Sequence, residues 1–228
     1  MVYYLFIVIF IALYVGALFL FRHFKDSLLT NIIFCLNVVA PYLVLVLYIY
    51  LTAGPTDWNF FNALPLANVS QFMFSTCWIV FVLPKRVREY YVSLVSLLSL
   101  GMFIAPTLGL GTYGFTNYPF RPHFLLDSWA HYSLSLWGIY FVSSKQCELS
   151  IKKALIGGSI IVIVALSMMA LNMIFDTSFF GLSLNGKHNI YLMVLVDNSY
   201  LSALIYFAGL AVVLGGGFFY QKLLSKAS

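Results

Sequence analysis

Asp127 and His131 stand four residues apart in the stretch RPHFLLDSWAHYS, with Arg121 and His123 just before them and Ser135 one further helical turn on. On an α-helix, side chains at i and i+4 share a face. A carboxylate that accepts from one imidazole nitrogen orients the ring and leaves the other nitrogen available as a general base. The stretch is conspicuous because Asp, Glu, Lys and Arg make up only 8% of the 228 residues. Inside a membrane such groups cost a few kcal/mol or more unless they pair or face a cavity. Two readings are open: a catalytic Asp127–His131 pair, or a structural pair that joins helices.

Other segments supply possible partners. In LPLANVSQFMFSTCW, Asn68, Gln71 and Ser75 recur at i, i+3 and i+7, which is one polar stripe on a helix. Ser70 is a candidate nucleophile, while Asn68 and Gln71 are candidates for oxyanion stabilisation or, equally, for interhelical hydrogen bonds. Asn172 and Asp176 form another i, i+4 polar pair, and NGKHNIYL adds Lys187, Asn189 and Tyr191. Arg121 and Lys187 suit an anionic headgroup if they are not simply solvated. Cys35, Cys77 and Cys147 are scattered, without a CxxC pair or a His-rich run. No metal site and no cofactor is therefore expected. Ser93, Ser96 and Ser99, at steps of three, read as a close-packing helix face, and Pro106 as a kink near a helix end.

The elements that must carry these residues are transmembrane helices. Hydrophobic residues are 62% of the chain, and the mean hydropathy is +0.96. Seven apolar segments, at 2–21, 28–51, 63–84, 90–110, 123–143, 153–175 and 197–220, each suffice to cross about 30 Å of hydrocarbon. The expected fold is all-α, a polytopic bundle of seven spans forming a single domain over residues 1–228 of a multi-pass cell-membrane protein. Arg22, Lys25, Lys85, Arg86, Arg88, Lys145, Lys152, Lys153, Lys222 and Lys226 all fall on one side of that arrangement, and only Arg121 and Lys187 on the other. The positive-inside rule then places the N-terminus outside and the C-terminus inside. Pro122 starts a helix near the outer interface, and His131 lies about 12 Å deeper than His123. The net charge of +5 is spread over these short basic loops, the pattern of connections beside anionic lipid, so membrane lipids are expected as partners and nucleic acid is not.

Leu64–Pro65, Gly101 with Pro106, Pro122–His123–Phe124, His131, and Asn172 with Asn189 and Tyr191 follow an order and spacing that resembles the YwaF-type family of integral membrane proteins. The resemblance covers about residues 60–195. A eukaryotic branch of that superfamily is a transmembrane phospholipid acyltransferase acting through a Cys and a His, and the resemblance carries the His to His131. The family's usual Cys falls at Val69 here, which the alignment would place in the same outer cavity as His131. The leading expectation is an outer-leaflet, acyltransferase-like enzyme with His131 as base. The alternatives are a protein that binds or transports a small solute, and a structural subunit with a protein partner in the membrane.

Overall fold

The computed structural model describes residues 2–21, 27–54, 64–65, 68–109, 122–147, 150–175 and 199–227. These form seven helices: α1 (Val2–Phe21), α2 (Leu28–Ala53), α3 (Val69–Thr76, continuing as a 3-10 turn over Cys77–Phe81), α4 (Lys85–Gly109), α5 (Pro122–Ser143), α6 (Ile151–Phe175) and α7 (Ser199–Ala227). Among the described residues, four helices are long and apolar enough to cross a membrane, namely α2, α4, α6 and α7. Many large apolar side chains on α2, α6 and α7 point outward, including Leu51, Ile163 and Val212. That is the arrangement expected of helices bathed in lipid.

The centre of the bundle is α4 against α5, with α2 covering α5 and α7 covering α4. From Ala130 to Ser143, all residues of α5 except Tyr132 and Leu136 are buried. A helix so enclosed need not be apolar all round, and α5 accordingly carries Asp127, His131 and a series of serines, too polar a mix to qualify as a span on composition alone. The segment expected as one long span over 63–84 is also different. Its described helix begins at Val69 and tightens into 3-10 geometry after Thr76. The steeper rise of the 3-10 turn extends these 13 residues to about 22 Å.

Small residues let the central helices touch. A Cβ on Gly138 of α5 would stand 2.7 Å from Ser99 Cβ and 2.9 Å from the Val95 carbonyl oxygen of α4. A Cβ on Gly217 of α7 would collide with the Leu97 carbonyl on another face of α4. Ser93, Ser96 and Ser99 are fully buried there, as their spacing predicts. Ser135 of α5 donates to the Ser99 carbonyl at 2.6 Å and meets the Tyr14 hydroxyl of α1 at 3.3 Å. Gln221 Nε2 of α7 donates to Ser99 Oγ at 2.8 Å and to the Ser96 carbonyl at 3.1 Å. Without a hydrophobic drive between helices in lipid, close packing and such hydrogen bonds supply the association.

A second polar knot ties the start of α2 to the end of α5. Trp137 Nε1 donates to Asn31 Oδ1 at 2.9 Å, and Asn31 Nδ2 donates to Gln146 Oε1 at 3.1 Å. The Ser27 amide donates to the Tyr140 hydroxyl at 3.1 Å. The starts of α4 and α6 meet through Lys153 Nζ and Glu89 Oε2, 3.0 Å apart. This is the basic end of the bundle, away from His131.

Candidate functional site

His131 sits on the buried side of α5 at 7% exposure. Its Nδ1 lies 2.8 Å from the main-chain carbonyl oxygen of Asp127 and 3.4 Å from Asp127 Oδ2. A carbonyl can only accept, so Nδ1 carries the hydrogen and, in the neutral ring, Nε2 holds the lone pair. The i, i+4 spacing thus orients the imidazole as the sequence suggests. The shorter contact, however, is to the peptide backbone and not to the carboxylate. A tautomer fixed by the helix itself depends little on the Asp127 side chain. Among the described residues, Nε2 has no hydrogen-bond partner.

The wall facing His131 comes from α3. Asn68 is the N-cap of that helix, its side-chain oxygen accepting from the Gln71 amide at 2.9 Å. Asn is a favoured cap because it satisfies one of the first-turn N–H groups. Gln71 then reaches across to α5, with Nε2 donating to Asp127 Oδ1 at 3.2 Å. Because a carboxylate accepts, this bond fixes the amide orientation and leaves Gln71 Oε1 buried, with no partner among the described residues. One helical turn on, Phe74 stands perpendicular to the imidazole with ring centroids 4.7 Å apart. Gln71, Asp127, His131 and Phe74 therefore form one constellation across the α3–α5 contact. Phe74 was legible only indirectly, as the residue three beyond Gln71 and so on its face. Ser75, which the stripe also includes, bonds its own helix at the Phe72 carbonyl, 2.9 Å away.

The remaining candidates stand apart from this group or lie beyond the described residues. Ser70 is half-buried on α3, and among the described residues no hydrogen bond links it to His131. Val69 is about 200° around the helix from Gln71, half-buried, and packs both on the main core and on Ala165, Met168 and Ala203 of α6 and α7. Asn172 is buried on α6. His123 is the second residue of α5, and its side chain lies outside the described residues, as do Arg121, Asp176, Lys187, Asn189 and Tyr191.

The chemistry available is proton transfer at His131 Nε2 and hydrogen bonding at Gln71 Oε1, an acceptor suited to a hydroxyl or amine. Gln71 is less suited to an oxyanion, since one amide hydrogen is committed to Asp127. Among the described residues no three His, Cys, Asp or Glu side chains converge as a metal site would require. Comparison with protein-family models, with curated proteins and with solved structures finds no match for this chain.

Proposed function

We infer that this protein is a membrane-embedded, acyltransferase-like enzyme that modifies lipids or lipid-linked acceptors, with His131 as general base. The observation that carries the reading is the His131 ring: buried, held by its own helix as the Nδ1–H tautomer, with Nε2 left without a hydrogen-bond partner among the described residues, at the same α3–α5 contact that buries an unpartnered acceptor on Gln71. In a direct transfer, Nε2 takes the proton from an acceptor hydroxyl or amine as that oxygen or nitrogen attacks the ester carbonyl of a donor lipid. The new C–O or C–N bond forms, the donor's ester C–O bond breaks, and the departing alkoxide recovers the proton from the imidazolium. With an amine acceptor, Gln71 Oε1 would accept from the N–H that is not transferred. No nucleophile from the chain is needed, which accommodates Val69 at the position of the family's Cys and leaves Ser70 without an essential role. Asn68 would position Gln71, and Arg121, His123, Lys187, Asn189, Tyr191 and Asn172 are the residues through which the lipid headgroup would be held.

The reading includes a seven-span topology with the N-terminus and His131 toward the outer face, supported by the distribution of Lys and Arg among the connecting segments. The resemblance to the YwaF-type family supports the substrate class. A structural role is the second reading, favoured by the Gln71–Asp127 bond, which joins α3 to α5. The test is reconstitution of the purified chain in vesicles containing acyl-labelled phospholipid donors and a panel of lipid hydroxyl and amine acceptors. Label appearing on an acceptor, and absent with His131→Ala, supports transfer. An inert wild-type protein across the panel counts against it.

A further inference from the structure

Cys35 of α2 and Cys77, the first residue of the 3-10 turn, are in contact, with their Sγ atoms 4.0 Å apart. Both are buried free thiols. The hydrogens on the two sulfurs can be assigned. Cys77 Sγ lies 3.3 Å from the Phe74 carbonyl oxygen, and a carbonyl only accepts, so the Cys77 hydrogen points there. The Cys77 sulfur is then the acceptor for Cys35, with a lone pair directed at Cys35 Sγ. Phe74 also stands against His131, which leaves the thiol pair one residue removed from the candidate site. Its chemistry does not require the histidine.

Touching thiols can share a soft metal ion or become a disulfide. A monovalent ion between two thiolates leaves a net negative charge among apolar side chains, which their low polarity opposes. A divalent ion such as zinc asks for four ligands, and among the described residues no third His, Cys, Asp or Glu joins the pair. A disulfide is uncharged, as the two thiols are, and suits the same surroundings. It requires the sulfurs to close from 4.0 Å to about 2.05 Å, a swing of the two side chains about their Cα–Cβ bonds. The weaker hydrogen-bond geometry of a 3-10 turn lets Cys77 adjust more readily than a residue inside an α-helix. The two thiols are not equivalent. Cys35 is 7% exposed, on a helix whose Ile32 and Leu36 face outward, and Cys77 is 0% exposed. An oxidant arriving from the lipid meets Cys35 first.

We propose that Cys35 and Cys77 form a thiol-oxidation site, at which an organic hydroperoxide, such as that of an oxidised lipid, is reduced and a disulfide joins α2 to the turn after α3. Cys35 Sγ takes the terminal oxygen of the hydroperoxide. The S–O bond forms, the O–O bond breaks, and the thiol proton leaves on the departing alkoxide as an alcohol. Cys77 Sγ then attacks the sulfenic sulfur of Cys35. The S–S bond forms, the S–O bond breaks, and the hydroxyl leaves as water with the Cys77 proton. Two thiols are thereby oxidised by two electrons and one peroxide is reduced.

The test treats the full chain, reconstituted in phosphatidylcholine vesicles, with excess tert-butyl hydroperoxide, a small membrane-permeant probe. The protein is then denatured, its remaining thiols are alkylated, and peptides are mapped from the monomer band of a non-reducing gel. Two of the three thiols should be lost together and recovered as one linked Cys35–Cys77 peptide that a dithiol reductant separates, while Cys147 stays alkylatable. In Cys77→Ala the added oxygen should remain on Cys35, and in Cys35→Ala the Cys77 thiol should survive. The variants are compared at equal folded yield, and the mapping of the wild-type chain stands without them. Absence of the linked peptide from the treated wild-type monomer, linkage through Cys147 or only between two copies, or oxidation of Cys77 at the wild-type rate in Cys35→Ala would each overturn the proposal.

Discussion

Replacing Gln71 by leucine should leave the protein almost as stable as it was, although it deletes a buried hydrogen bond. The Gln71–Asp127 bond is long at 3.2 Å, and the Asp127 side chain keeps 32% exposure, so its loss belongs at the lower end of charge-assisted bonds, about 1.5 kcal/mol. Against this, leucine removes Gln71 Oε1, whose burial without a partner costs about 1–3 kcal/mol. The two terms offset, and Gln71→Leu should lie within about 1 kcal/mol of wild type. Asp127→Leu is different, because it strands the whole Gln71 amide and should cost about 2 kcal/mol. For a chain of this length that corresponds to a fall of about 4–8 °C in Tm. Combining the two changes removes the stranded amide and restores an apolar contact, so the double variant should recover most of the loss, with a coupling of at least about 1 kcal/mol. Thermal unfolding in detergent of the four proteins measures this cycle. Equal losses in both single variants that add in the double would refute the assigned amide orientation and with it the unpartnered acceptor.

Three further outcomes are expected. Gly138→Ala should cost about 1–3 kcal/mol, read as a lower Tm, because its Cβ has no room beside Ser99 and Val95, whereas Gly16→Ala, with open space around it, should not. Val69→Cys should give a thiol whose alkylation rate is unchanged by His131→Ala, since Val69 lies about 200° around α3 from Gln71; a rate that falls with His131 would support the shared-wall alignment. For the topology, single cysteines introduced at Thr116 and Ser144, in a background without native thiols, should react with an impermeant outside reagent at Thr116 and not at Ser144; the reverse pattern would invert the orientation.

Hydropathy and segment length carried much of the helical architecture, because a membrane helix must be long, apolar and bounded by polar residues. The serine steps on α4 also reported a contact face, but not what fills it. That Gly138, Gly217 and Gln221 meet those serines depends on which helices are neighbours, information that no single segment contains. The local shape of the third segment was not legible for a related reason: hydropathy registers how apolar a run is and not how tightly it winds, so the cap at Asn68 and the 3-10 turn after Thr76 are invisible to it. At the site, the i, i+4 spacing correctly indicated that Asp127 and His131 meet. Which atom of Asp127 holds the ring was not legible, since a helical carbonyl at i−4 is available to any histidine. Gln71 stood out as a polar residue in an apolar run, and only the α3–α5 packing shows that it reaches Asp127.

The claim that His131 does chemistry is tested most directly by comparing the lipids and lipoproteins of cells that make the wild-type chain, the His131→Ala chain at equal membrane abundance, or neither. The account predicts an acylated species present only with the wild-type chain, and absent with His131→Ala even though the variant's Tm remains within a few degrees of wild type. A His131→Ala chain that still makes the species, or identical acylation in all three cell types, would contradict it.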